Sequence, residues 1–154
     1  MQNEKTNPES VYRTLLTIWA ALLMSQFMFV VIAFFSKPDL FKFDFTRPLL
    51  GEYAVEIGTI AAVAVVNLVI SFTLRKRFTG QAIGTGSVAL VQNAMIIACA
   101  FCEVISLFGL FVAFVFDYQY FFLFSILGII GILLHFPKRG DVQAASFRDN
   151  LAVR

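Results

Sequence analysis

Four apolar runs dominate the sequence, and each reaches the length of about 20 residues that a helix needs to cross a hydrocarbon core. The runs cover approximately residues 15–35, 53–74, 88–116 and 118–136. In lipid, helices and closed barrels are the structures that satisfy all backbone polar groups, and runs this continuously apolar favour helices. We therefore predict an all-α integral membrane protein, with residues 1–154 forming a single domain of four transmembrane helices.

The composition excludes a soluble fold. Hydrophobic residues make up 59% of the chain and charged residues only 14%, against about 45–50% and about 25% in an average soluble domain. A soluble chain of 154 residues could not bury that much apolar surface. We expect no cleavable signal peptide, because the first run is too long and lacks a cleavage site. Residues 1–13 are expected to be frayed, residues 79–87 to form a loop, and residues 138–154 to form one or two helical turns.

Lysine and arginine residues are unevenly distributed between the two ends of the predicted helices. Nine lie on the side of the termini and the second loop, namely Lys5, Arg13, Arg75, Lys76, Arg77, Lys138, Arg139, Arg148 and Arg154. The first and third loops carry three, namely Lys37, Lys42 and Arg47. The positive-inside rule then predicts a protein of the inner (plasma) membrane with both termini in the cytoplasm. We expect the group 75–77 to anchor helix two, with binding of anionic lipid as the alternative.

One carboxylate lies well inside the third run. Counted from Ala89 at about 1.5 Å per residue, Glu103 is about 21 Å into the membrane, near the midplane. Ionisable groups at this depth are costly and are functional by default. Because desolvation disfavours the charged form, we expect Glu103 to rest as a protonated, hydrogen-bonded acid.

Polar residues of two other helices reach the depth of this carboxylate. Ser25 and Gln26 lie there on helix one, and Thr59 lies there on helix two. Ser106 follows on the face of helix three that carries Glu103. We predict an ion-binding site made of Glu103, Ser106, Gln26 and Thr59. The alternative is that Glu103 is a neutral residue that only holds helices together.

Small residues recur along three of the predicted helices. In membranes, lines of small residues let helices approach closely. Helix three has a seam of small and polar residues at three- and four-residue steps, made of Ala89, Gln92, Ile96, Cys99, Glu103, Ser106, Leu110 and Ala113. We interpret Ser125, Gly128 and Gly131 of helix four as ordinary helix packing. We predict that an interface between copies of the chain contains Ala54, Gly58, Ala62 and Cys99.

The sequence carries no set of residues typical of an enzyme. Cys99 and Cys102 have the C-x-x-C spacing of redox and metal sites, but no further ligand cluster accompanies them, and we interpret them as packing residues. The single histidine, His135, is expected to be interfacial. We predict no catalytic residues, metal or cofactor, and no binding of nucleic acid.

The segment Ala100–Phe114, AFCEVISLFGLFVAF, resembles the carboxylate-bearing helix of the ATP synthase c subunit, the rotor-ring proteolipid. In that family, a pattern of the form A-x-x-E-x-I-x-x-F-G-L precedes an apolar run ending in A-F. The likeness extends more loosely over the hairpin of helices two and three, residues 56–116, which turns on the basic side. Helices one and four are additional to that hairpin. The resemblance implies that Glu103 is the ion-carrying carboxylate, and that the chain forms a ring-like homo-oligomer.

Two classes of function remain open from the sequence. In the first, the protein binds or translocates protons, or sodium, and a further membrane subunit gives ions access to Glu103. In the second, it is a structural or scaffolding oligomer with a lipid-filled centre, in which Glu103 is a neutral packing residue. A monomeric accessory subunit is a third reading.

Overall fold

The computed structural model describes residues 7–42, 44 and 46–152, with side chains up to residue 147. Within these residues the chain forms helices and turns and no strand. The five α-helices are α1 Pro8–Ser36, α2 Ala54–Thr85, α3 Val88–Phe116, α4 Phe122–Leu134 and α5 Arg139–Ala152. Short 3-10 turns, Pro38–Phe41 and Gln119–Phe121, follow α1 and precede α4. The prediction of an all-α fold is confirmed.

Three of the helices, α1, α2 and α3, are long and apolar enough to cross a membrane. This finding agrees with the predicted class of membrane protein. The fourth predicted span is shorter than expected, because α4 ends at Leu134. The segment Gln119–Leu134 qualifies as a span only together with Arg139–Phe147, and a bend of 43° separates the two. The fourth transmembrane crossing therefore stays a prediction.

Helix α3 is the centre of the bundle, and α1, α2 and α4 all pack against it. Its bounds, Val88–Phe116, coincide with the third predicted run. The connection from α2 is a tight turn in which Gly86 has a φ of 69°. Glycine tolerates this left-handed conformation because it has no Cβ, so α2 can end and α3 can begin within two residues.

Helix α1 begins earlier than the first predicted run. Asn7 caps the helix by accepting a hydrogen bond from the Glu9 backbone N–H at 3.0 Å, and Pro8 occupies the first helical turn. A side-chain cap and a proline at this position both favour a helix start. The prediction that residues 8–13 are frayed is therefore wrong, while residues 1–6 lie outside the described part of the chain.

Two further boundaries differ from the predictions. Helix α2 continues to Thr85 through most of the segment 79–87 that was predicted to be a loop, and the glycines within it do not break the helix. The segment predicted to form one or two turns is the 14-residue helix α5. Val142 and Ala145 of α5 are buried in one hydrophobic cluster with Leu15 of α1. Tertiary packing of an apolar face, which stabilises helices beyond their propensity, explains why α5 is longer than expected.

Candidate functional site

Glu103 lies near the middle of α3, about 22 Å along the helix from Val88 and about 20 Å from Phe116. Its side chain is half-buried. The hydroxyl group of Ser25 on α1 donates a hydrogen bond to Oε1 of the Glu103 carboxyl group. The predicted depth of Ser25, level with Glu103, agrees with this contact.

The hydroxyl group of Ser25 has a second neighbour. Ser25 Oγ lies 2.7 Å from the carbonyl oxygen of Leu22, one turn earlier in α1. A serine hydroxyl has one proton to donate, and a backbone carbonyl can only accept. Ser25 can donate to Glu103, because the Leu22 carbonyl oxygen inside α1 already accepts a backbone N–H. A protonated Glu103 that donates to Ser25 Oγ is the other possible arrangement.

A second hydrogen bond joins α1 to α3 beside the first. The hydroxyl group of Ser106 donates to Oε1 of Gln26, and both side chains are fully buried. Among the described residues, Nε2 of Gln26 has no hydrogen-bond partner. We refer to Ser25, Gln26, Glu103 and Ser106 as the polar cluster. It places four polar side chains between two helices, near the middle of α3.

Helix α4 covers the buried side of the polar cluster at Gly128. A Cβ atom at this position would lie 2.9 Å from the carbonyl oxygen of Cys102 and 3.0 Å from Oε1 of Gln26. Ser106 Oγ is also in contact with this point. Glycine therefore allows the α4 backbone to close over the Gln26–Ser106 pair, while Ser25 and Glu103 remain half-buried.

The structure brings together three of the four predicted ion-site residues. Gln26 and Ser106 contact each other, but Glu103 pairs with Ser25, which was not among the predicted ligands. Thr59 lies on an exposed face of α2, where its hydroxyl donates to the carbonyl oxygen of Val55 at 2.7 Å. The sequence already placed Ser25 at the depth of Glu103, next to Gln26, so depth alone could have indicated Ser25 as a ligand.

The predicted interface residues fall into two groups. Ala54 and Gly58 are half-buried, Ala62 is exposed, and a Cβ atom at Gly58 would meet nothing within 4 Å. These three residues leave open surface on α2. Cys99 is completely buried inside the chain, in a hydrophobic cluster. Cys99 therefore has no surface with which to contact a second copy.

The buried surface of α3 is broader than the predicted seam. Three members of the seam, Cys99, Ser106 and Ala113, are buried, but Ala89 is exposed. Most of the buried positions lie beside the seam, at Val91, Ala94, Met95, Ala98, Cys102, Ile105, Gly109 and Val112. The reason is that three helices pack against α3 from different directions.

The two cysteines and the histidine lie inside the bundle. Cys99 and Cys102 are free thiols, and Sγ of Cys102 lies 3.7 Å from Oγ of Ser71. His135, which was expected to be interfacial, is fully buried with its ring 4.5 Å from that of Phe72. In the described part of the chain, no three His, Cys, Asp or Glu side chains form a group that could hold a metal ion.

Comparisons of the chain with protein-family models, with curated proteins and with solved structures found no match in any of the three.

Proposed function

We propose that the protein is an ion-binding membrane subunit in which Glu103 takes up and releases a proton. The observation that supports this proposal most strongly is the contact of the half-buried carboxyl group with Ser25, whose hydroxyl already faces the Leu22 carbonyl. The Ser25 hydroxyl can donate to the carboxyl group or accept a proton from it, so it can serve both states of a proton-exchanging acid. The carboxyl group of Glu103 is partly exposed on the side of the bundle, so a neighbouring subunit could contact it.

The proposal requires a partner subunit. No lysine or arginine occurs in the sequence between Arg13 and Lys37, between Arg47 and Arg75, or between Arg77 and Lys138. Among the described residues, no lysine or arginine forms an ion pair with Glu103. A second membrane protein would supply the positive charge or the water that proton release needs. The role is ion binding, and the protein is not itself an enzyme.

Labelling with a hydrophobic carbodiimide tests this proposal. Such reagents enter the membrane and react with protonated carboxyl groups. In membranes containing the full-length protein, we expect Glu103 to be modified at neutral pH, and the modified fraction to fall as the pH rises and the proton is lost. Peptide mass spectrometry measures the labelled fraction. Protection by sodium ions would identify sodium, rather than the proton alone, as a bound ion.

Two variants make the labelling experiment specific. Glu103→Gln should abolish the labelling, since the amide has no acidic proton. Glu56→Gln, which alters an exposed carboxyl group in the first turn of α2, should leave it unchanged. Labelling of Glu103 that is absent, or that does not change with pH, would contradict a proton-exchanging site.

A scaffolding function is the second candidate, and a specific observation favours it. The Ser25–Glu103 and Gln26–Ser106 hydrogen bonds both join α1 to α3, so the polar cluster also holds the bundle together. In that case, Glu103 is a permanently neutral packing residue. The same labelling experiment distinguishes ion binding from scaffolding. A carboxyl group that is inaccessible to water does not exchange its proton, so its labelling does not depend on pH.

We further propose that the protein forms a homo-oligomer, in keeping with its resemblance to the c subunit. The open surface at Gly58 on α2, beside the exposed Ala62, is where a second copy could approach closely. Native mass spectrometry in mild detergent should show a discrete oligomer, and Gly58→Leu should dissociate it. A purely monomeric protein would contradict this part of the proposal.

A further inference from the structure

A groove opens where α2, α4 and α5 meet, at the end of the bundle opposite the loop between α1 and α2. Its volume is about 460 Å³. Charged groups and apolar side chains line it together, namely Phe72, Arg75, Lys76, Thr79, Leu134, Lys138 and Asp141. We call this cavity the basic groove. It is separate from the polar cluster, and none of its lining residues belongs to that cluster.

The charges of the basic groove favour an anion. Arg75, Lys76 and Lys138 contribute three positive charges, whereas Asp141 is the one carboxylate among the lining residues. The folded chain brings Lys138 to the basic group of α2, although more than sixty residues separate them in the sequence. An anionic group in the groove would contact cations from two sides.

Arg75 is the best-positioned cation for such an anion. Its half-buried guanidinium donates to the backbone carbonyl oxygens of Phe136 at 2.8 Å and of Leu134 at 3.5 Å, which fixes its position at the end of α4. Among the described residues, no carboxylate lies within ion-pair distance of Arg75. Asp141 is near enough to interact electrostatically with Arg75 but does not form an ion pair with it. The remaining N–H donors of Arg75 suit the oxygens of a phosphate.

The depth of the groove matches that of lipid headgroups. The apolar part of α2 before Arg75, residues 54–74, is about 30 Å long, which equals the thickness of the hydrocarbon core. A bilayer centred on residues 54–74 has Arg75 and Lys76 at the boundary between hydrocarbon and headgroups. Because Ser71 contacts Cys102, Glu103 then lies about one helical turn inside this boundary, and not near the midplane as the sequence predicted. Phe72 and Leu134 are exposed apolar residues of the same groove. They offer an acyl chain a surface next to the cations.

We propose that the basic groove binds the phosphate headgroup of an anionic phospholipid. Arg75, Lys76 and Lys138 contact the phosphate oxygens, and an acyl chain lies along Phe72 and Leu134. Bound lipid then links α2 to the junction between α4 and α5. The inference does not depend on the function proposed for Glu103.

Lipid binding to the purified full-length protein tests this inference. Phosphatidylglycerol is titrated into the protein in detergent, and the bound fraction is measured by native mass spectrometry, with phosphatidylcholine for comparison. We expect the double variant Lys76→Gln/Lys138→Gln to bind phosphatidylglycerol about 30-fold more weakly, because each lysine near an anionic lipid contributes about 1 kcal/mol. Phosphatidylcholine binding should change little.

Arg77→Gln is the matched control. Arg77 is exposed and next to Lys76 in the sequence, but it does not line the groove. If Arg77→Gln weakens binding as much as Lys138→Gln does, the attraction is diffuse and the proposed site is wrong. The proposal also fails if the double variant binds like the original protein.

A titration with inorganic phosphate tests whether the groove binds a phospholipid or free phosphate. If inorganic phosphate binds as tightly as phosphatidylglycerol, and its binding depends on Lys76 and Lys138 in the same way, the assignment to a phospholipid is wrong.

Discussion

The carboxyl group of Glu103, the hydroxyl group of Ser25 and the carbonyl group of Leu22 form one chain of contacts between α3 and α1. This chain of contacts is the basis of the proposal that Glu103 carries a proton. Burial alone would be a weaker argument, because the side chain is only half-buried.

Replacement of Ser25 by alanine removes the partner of the Glu103 carboxyl group. We expect Ser25→Ala to lower the free energy of unfolding by about 1 kcal/mol, which is within the range measured for hydrogen bonds between membrane helices. Thermal denaturation in detergent measures the change. Thr17→Ala is the control, because the Thr17 hydroxyl bonds only within α1, to the carbonyl oxygen of Arg13. Equal Tm values for the two variants would show that the Ser25 contact contributes no stability.

Depth was predictable for α1 but not for α2, because α2 continues to Thr85 and moves its residues along relative to α3. Counting residues along the helices placed Ser25 and Gln26 level with Glu103, and both do contact α3 near that level. Which of them meets the carboxyl group depends on how α1 is rotated about its axis. Neighbouring residues of a helix point about 100° apart, since a turn holds 3.6 residues. On α2 the predicted depth was wrong. Cys102, next to Glu103, contacts Ser71, and Thr59 is about 18 Å further along the helix.

Close approach of α3 and α4 depends on glycines of both helices. A Cβ atom at Gly109 would lie 2.9 Å from the carbonyl oxygen of Phe121, and one at Gly131 would lie 2.6 Å from Sγ of Cys102. Gly128 is similarly enclosed, and Ser125 is also buried. The spacing of Ser125, Gly128 and Gly131 indicated this packing face from the sequence.

Gly128→Ala should force α4 away from the polar cluster. We expect the free energy of unfolding to fall by about 1–3 kcal/mol, as is usual for overpacking of a closely packed interior. The Tm in detergent reports the change. Gly84→Ala is the control, because a Cβ atom at Gly84 in α2 would meet nothing within 4 Å. An unchanged Tm for Gly128→Ala would show that α4 does not close over the cluster as described.

Helices outside the apolar runs were not predictable from hydropathy. The last part of α2 and all of α5 are polar, which is why the sequence predicted a loop for the first and only one or two helical turns for the second. Val142 and Ala145 of α5 are buried because α1, α2 and α3 offer them an apolar surface. The sequence of α5 alone does not reveal that surface.

At the scale of the molecule, the start of α1 and the helix α5 lie at the same end of the bundle. Arg139 of α5 pairs with Glu9 of α1 at 3.4 Å, and its guanidinium lies 4.8 Å from the centre of the Tyr12 ring. The loop between α1 and α2 lies at the other end, where the hydroxyl of Tyr118 donates to the Leu49 carbonyl oxygen at 3.0 Å. The charge asymmetry of the sequence predicts which end faces the cytoplasm.

Single cysteines at the two ends test the predicted orientation. A membrane-impermeant thiol reagent should label Ser10→Cys only from the cytoplasmic side and Leu49→Cys only from the outer side. The native Cys99 and Cys102 are buried and should remain unlabelled in the folded protein. Labelling of Ser10→Cys from outside intact cells would reverse the assigned sidedness.

The most direct test of a proton on Glu103 is infrared spectroscopy of the protein in lipid membranes at neutral pH. Our account predicts the carbonyl stretching band of a protonated carboxylic acid in the original protein and its loss in Glu103→Gln. The same band should move to higher frequency in Ser25→Ala, because the carboxyl group of Glu103 then loses its hydrogen bond with Ser25. A spectrum without a protonated-acid band, or a band that persists unchanged in Glu103→Gln, would contradict the account.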